Sequence, residues 1–190
     1  MNLVERVKAI LLQPKSEWPK VEQEPGDAGF LYTNYVAIVA AIPPVCHFIG
    51  TSLIGFGPYR IGLFAGLLWA VVSYVLGLVG VYVMALIIDA LAGTFGAKRD
   101  FGNAMRVAAY SPTAAWVVGV FNIIPALGVL GILGLYSIYL LHTGLTALMR
   151  PPADKSVIYT VAVIIAAIVI WILIAAVPVW LFGRAMLAAM

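Results

Sequence analysis

Charge is what this 190-residue sequence has least of. It carries eight Asp and Glu and eleven Lys and Arg, 10% of the chain, against 64% hydrophobic residues. A soluble domain is typically about a quarter charged and about half apolar. A soluble enzyme core is therefore excluded, and so is intrinsic disorder, which needs low hydrophobicity. There is one cysteine, Cys46, which rules out an intramolecular disulfide and any multi-cysteine metal site. The two histidines, His47 and His142, are too few to build a metal triad without other ligands. No acid–base pair, nucleophile–base pair or metal motif is recognisable, so no enzymatic activity, metal or cofactor is expected. Nucleic acid is not expected as a partner. Acids are also missing from the middle of every long apolar stretch, which counts against a proton-coupled carrier.

What the chain does have is long stretches without charge. None occurs between Asp27 and Arg60, Arg60 and Asp89, Arg106 and Arg150, or Lys155 and Arg184. A spanning helix needs about 20 mostly apolar residues. Three of these gaps hold one span each. The 43 residues from Val107 to Met149 hold two, with a turn at Asn122-Ile123-Ile124-Pro125, since proline interrupts a helix. The reading is an all-α polytopic membrane protein, a bundle of five transmembrane helices at 31–54, 62–90, 104–122, 126–149 and 157–182. Positive charge sets its orientation. Arg6, Lys8, Lys15, Lys20, Lys98, Arg99, Arg106, Arg150 and Lys155 fall on one side, Arg60 and Arg184 on the other. Nine against two predicts the N-terminus in the cytoplasm and the C-terminus outside.

Residues 1–30 form a separate cytoplasmic segment. Glu5, Arg6 and Lys8 interrupt the apolar run that a signal peptide needs. Leu3, Val4, Val7, Ile10 and Leu11 recur at helical spacing, with the charges expected opposite. This predicts an amphipathic helix at the membrane surface, ended by Pro14 and followed by an interfacial Trp18-Pro19 anchor. The choice lies between a helix that covers the bundle and one that docks a partner. The first is favoured.

Few polar residues interrupt the spans. Pro43 and Pro44, near the middle of the first, remove two amide donors and predict a kink, either a packing bend or a broken helix lining a substrate site. Cys46 and His47 are adjacent and point about 100° apart on a helix, so they cannot clasp one ion by themselves. His142 is the other candidate polar group of this kind. Asp89 and Arg106 flank the Ala92–Asn103 loop, and a pair between them would neutralise two costly boundary charges. Gly62 and Gly66 form a GxxxG, and Gly128, Gly131 and Gly134 recur every three residues, spacings that let helix backbones approach closely. Ser137, Tyr139, His142 and Thr143 can bond across helices.

Three stretches carry a resemblance. Ala40-Ala41-Ile42-Pro43-Pro44-Val45-Cys46-His47-Phe48-Ile49-Gly50-Thr51 resembles the first span of small bacterial inner-membrane proteins of the Yip-domain family. Phe101-Gly102-Asn103-Ala104-Met105-Arg106-Val107-Ala108-Ala109-Tyr110-Ser111-Pro112 is similar to the family's cytoplasmic loop and third span, where a basic residue is followed by Tyr and then Pro. Leu135 to Leu145, at the end of the fourth span, also fits. The resemblance implies five spans with the N-terminus inside. Eukaryotic members form hetero-oligomers and engage Rab GTPases. Their Asp-Leu-Tyr-Gly-Pro motif has no counterpart here, which argues against GTPase binding.

Two function classes follow. One is a non-enzymatic adaptor or membrane organiser of the inner membrane, contacting lipid and other membrane proteins as a homo- or hetero-oligomer, with Lys98 and Arg99 as its cytoplasmic contact face. The alternative is a small transporter or channel for lipid or an uncharged solute, for which the Pro43-Pro44 break and Tyr110-Ser111-Pro112 speak.

Overall fold

Asn2 opens the first helix. Its side-chain oxygen accepts the Val4 amide at 3.1 Å, and Glu5 reaches back to the Asn2 amide at 3.3 Å, a reciprocal cap that satisfies otherwise orphaned donors. The computed structural model describes residues 2–55 and 60–188, with side chains as far as Val177. Helix α1 (Leu3–Leu12) turns at Gln13 into α2 (Pro14–Glu22), whose first residue is a proline, the position where a missing amide costs nothing. Asp27 then caps α3 (Ala28–Ile54) by accepting the Phe30 amide at 2.9 Å. The remaining helices are α4 (Leu63–Ala92), α5 (Phe101–Tyr110), α6 (Thr113–Val118), α7 (Pro125–Met149) and α8 (Ala153–Ala188). The described residues are all helix, turn and loop, without a strand.

Among the described residues, four helices are long and apolar enough to cross a membrane: α3, α4, α7 and the Ala153–Val177 part of α8. The third expected span, 104–122, is not one continuous helix. It breaks at Ser111-Pro112 into α5, α6 and a 3-10 turn over Gly119–Ile123, because Pro112 has no amide to offer the preceding turn. The expected turn at 122–125 is present, with Ile124 extended (φ −112°, ψ 106°) between two 3-10 stretches. The last helix starts four residues earlier than expected. The residues from Pro178 on, Arg184 among them, have side chains outside the described residues, as does the loop at 56–59.

The proline kink lies just upstream of the prolines themselves. Helix α3 is helical to Val39, turns at Ala40-Ala41, and resumes at Ile42 with Pro43 and Pro44 in its first turn. The carbonyls one turn before the two prolines are those that lose a donor. Gly119 sits against this bend, and a Cβ there would meet Pro43 at 2.7 Å. Of the GxxxG pair, Gly66 lies against Ser52 of α3, whereas Gly62 has open space around it. Gly128, Gly131 and Gly134 share one face because Pro125–Leu135 is a 3-10 helix with three residues per turn. Only Gly134 meets a neighbour, Ala115 at 3.3 Å.

Buried residues gather at one end of the bundle. Leu31 to Ala40 of α3, Val81 to Ala92 of α4, all but the first turn of α5, Leu140 to Met149 of α7 and the start of α8 form that core, and Ile10, Trp18 and Val21 of the N-terminal hairpin complete it. At the other end, Leu63, Phe64, Val129, Ile132, Trp171 and Leu173 are exposed, the pattern of helix surfaces that meet lipid rather than protein.

Candidate functional site

The hairpin α1–α2 is held to the bundle by a buried charge cluster. Arg6 lies on the inner face of α1 with Ile10, contrary to the expectation that the charges of this helix face away. It does so because two carboxylates meet it there. Its Nη1 donates to Glu17 Oε1 of α2 at 2.5 Å and its Nη2 to Glu24 Oε1. Arg6 and Glu17 are 6% and 1% exposed, so both charges are out of water. Lys20 Nζ donates to the second oxygen of Glu17 at 3.0 Å from the exposed side. Desolvating these two charged groups is costly, and their pairing with each other and with Glu24 offsets it.

Tyr110, at the end of α5, connects this cluster to the bundle interior. Its hydroxyl donates to Glu24 Oε2 at 3.3 Å, and the Arg6 guanidinium lies 5.8 Å over its ring, within cation–π range. Tyr35 of α3 packs on the same ring at 4.5 Å between centroids. The Tyr35 hydroxyl is 2.8 Å from Thr113 Oγ1, which itself donates to the Tyr110 carbonyl at 2.5 Å, so Tyr35 is the donor. Trp18 of α2 completes the group. It is fully buried, edge-on to Tyr110 at 6.4 Å, and its indole N–H donates to Thr143 Oγ1 at 3.0 Å. Gly144 makes room for it, since a Cβ there would meet the indole at 2.6 Å. Trp18 is therefore a core residue, not the interfacial anchor that Trp18-Pro19 led us to expect.

Arg106 lies beside the cluster but does not pair with Asp89. Its Nε and Nη2 both donate to the Glu24 carbonyl, the first at 3.1 Å, and its Nη1 donates to Asn103 Oδ1 at 2.6 Å. It thus ties α5 to the backbone two residues beyond the end of α2. Asp89 instead meets Arg99 at 3.5 Å, across the α4–α5 loop. The expected Asp89–Arg106 pair is corrected on this point: the Glu24 carbonyl and the Asn103 amide oxygen hold Arg106, and Asp89 meets Arg99. Lys98 pairs with Asp100 at 3.4 Å, and the side chains of Lys98 and Arg99 remain 62% and 65% exposed.

The other candidates lie apart from this cluster. Pro43 and Pro44 form the α3 bend, and His47, one turn on, packs on the Trp69 ring at 4.5 Å. His142 Nδ1 lies 2.8 Å from Thr160 Oγ1 of α8. Among the described residues no group of His, Cys, Asp and Glu could hold a metal ion. Of the residues singled out by sequence, the cluster gathers Tyr110 and Arg106. It also gathers Arg6, Glu17, Glu24 and Tyr35, which the sequence reading missed. The signal for the three charged ones was available in the first thirty residues, where an arginine between apolar helix positions is followed by acids eleven and eighteen residues on.

Asp100 secures the loop side of the site. Its carboxylate accepts the Asn103 amide at 3.0 Å and caps α5. That amide holds its carboxyl below the usual carboxylate range; partial burial pushes the other way, and Lys98 adds to the lowering. Asp100→Ala is expected to cost about 1 kcal/mol, as for other lost caps. Because the folded-state pKa is depressed, the cap contributes fully above the unfolded value of about 3.9 and is lost as pH falls through the lower folded one. Hydrogen exchange of the α5 amides in wild type and variant, compared across pH, measures this. The two should differ at neutral pH and converge in acid.

A cleft of about 460 Å³ opens onto the cluster between α1 and α3, with Arg6, Glu24, Thr33, Asn34, Tyr35 and Tyr110 in its wall. Residues 8–175 match the Yip1 domain family. The inner membrane protein YohC of Escherichia coli strain K12 is 32% identical over 124 residues, 63% of this chain and 64% of the relative. The protein of the same name from E. coli O6:H1 strain CFT073 matches to the same extent. The chain thus spans under two thirds of the length of the curated relatives it matches. No solved structure matches it.

Proposed function

The chain belongs to the Yip1 domain family and is an integral membrane protein, and from that premise we propose that it acts as a non-enzymatic adaptor or organiser of the inner membrane. In this reading α3, α4, α7 and α8 cross the bilayer as continuous helices, and α5, α6 and the 3-10 turn after them make the fifth crossing in pieces. The N-terminus faces the cytoplasm, in keeping with the nine basic residues on that side. The observation that carries the proposal is the distribution of charge. Arg6, Glu17 and Glu24 satisfy one another, and Arg106 is held by backbone and amide oxygens. These contacts hold the hairpin to the bundle. Lys98 and Arg99, adjacent on the α4–α5 loop, are among the exposed cations, and together they suit a partner's acidic surface.

The test is co-purification in native-lipid nanodiscs followed by native mass spectrometry. A stoichiometric second polypeptide is expected. Charge reversal by Lys98→Glu with Arg99→Glu should release it while leaving membrane insertion intact; capture unaffected by the reversal would sink the contact face. The transporter reading draws support from the cleft beside the α3 bend. Flux of an uncharged solute or lipid through reconstituted protein would favour that reading over the adaptor.

A further inference from the structure

Two hollows beside α3 have one wall residue, Ile38, in common. The cleft at the charge cluster is polar, and Ile38 lines its inner end. The same Ile38 begins a second hollow of about 540 Å³, lined by Ala41, Ile42, Val45, Cys46, Val117 and Val120, without a charged side chain in its wall. The bend at Ala40-Ala41 comes just after Ile38, and Ala41 lines the second hollow. From Asn34 to Cys46 the combined surface follows about 18 Å of helix at 1.5 Å per residue. That is on the scale of one leaflet of a hydrocarbon core about 30 Å thick.

We propose that this surface is a binding site for one glycerophospholipid with a zwitterionic, primary-amine headgroup, drawn from the surrounding bilayer. The headgroup occupies the Arg6–Glu24–Tyr110 cleft, and an acyl chain follows the apolar groove past Val45 and Val120. Shape supplies the amphiphile: one hollow is polar, the other has no charged side chain in its wall, and Ile38 lines both. Charge selects the headgroup. Arg6 and Glu24 stand in one wall with opposite signs, so an anionic headgroup meets a carboxylate and a cationic one meets a guanidinium. A phosphate with an attached ammonium satisfies both. Arg6 has five N–H donors, of which the carboxylates of Glu17 and Glu24 engage two. An ammonium brings three donors for Glu24 and the Asn34 and Thr33 oxygens, whereas a quaternary choline brings none. The site is independent of the adaptor reading, because neither Lys98 nor Arg99 lines it.

The full chain is to be reconstituted into nanodiscs holding equal parts of phosphatidylethanolamine, phosphatidylcholine and phosphatidylglycerol, and the lipid retained is read by native mass spectrometry. One phosphatidylethanolamine per chain is expected, favoured about tenfold over the other two, the weight of one additional charge-assisted hydrogen bond. Glu24→Gln keeps an acceptor for Arg6 and should erase the preference for ethanolamine over choline. Because that change touches the cluster that holds the hairpin, a second variant leaves the cluster alone. Val45→Phe with Val120→Phe fills the groove and should lower retention of every lipid. Preference for phosphatidylglycerol, equal retention of all three by the wild type, or full retention by the filled groove would each overturn the site. Partner capture is read in the same spectra, so the lipid site and the adaptor reading can fail separately.

Discussion

Arg6→Ala is expected to lower the stability of the docked hairpin by about 3–5 kcal/mol, the cost of leaving a buried charge without its partner. Glu17 is 1% exposed and would keep only Lys20, which reaches it from the solvent side. Glu24 would lose its Arg6 bond while Tyr110 still donates to it. Most residues of the buried core come from the helices after the hairpin, so the loss should appear as release of residues 2–24 before the bundle unfolds. Limited proteolysis and hydrogen exchange of α1 and α2 read that directly. Replacing the cluster with Arg6→Met and Glu17→Met together should recover much of the loss, since a buried ion pair and a well-packed apolar pair of similar volume are close in energy. A double variant as unstable as Arg6→Ala would mean that charge, not unpaired charge, is what the hairpin needs.

Trp18→Ala should cost as much by a different route. The indole is fully buried between Gly144 and Tyr110, and truncating a large core side chain costs about 3–5 kcal/mol when the site cannot collapse. Collapse is blocked here because the cavity floor is helix backbone at Gly144. The Thr143 hydroxyl would lose the indole donor but keep its own bonds to the Tyr139 and Leu140 carbonyls, so the loss is mainly of packing. Thermal unfolding of detergent-solubilised protein, followed together with α1–α2 exchange, separates the hairpin from the bundle. Trp18→Phe should recover a large part of the loss. Both Arg6 and Trp18 touch Tyr110, so the two substitutions should not be additive.

Composition and patterning settled the class of this protein before any coordinate. Sparse charge and four long uncharged gaps require helices that satisfy their own backbone in lipid, and proline at 43, 44 and 125 marks where those helices bend or turn. The family was legible too, in Ala40–Thr51 and Phe101–Pro112, and those stretches hold the α3 bend and the Arg106–Tyr110 side of the site. Pro112 carried more than its resemblance: it divides the third expected span, a consequence that local chemistry allowed but that the hydropathy of the stretch concealed.

The hairpin was where periodicity misled. An apolar stripe on α1 reads as a surface helix with its charges outward, because pattern counts hydrophobic positions and assigns charge to water. Whether Arg6 faces solvent or core depends on what waits inside, and Glu17, Glu24 and the Tyr110 ring come from elsewhere along the chain. The same holds for Arg106, which is drawn to the Glu24 carbonyl rather than to Asp89, and for Trp18, which needs Gly144 opposite it. Sequence alone determined that this chain lives in a membrane, which stretches are long and apolar enough to cross it and where they bend, since those depend on transfer free energies and backbone bonds local to each segment. Only the tertiary structure decided which charges pair and which aromatic rings meet, because a charge out of water takes the partner that geometry brings within reach.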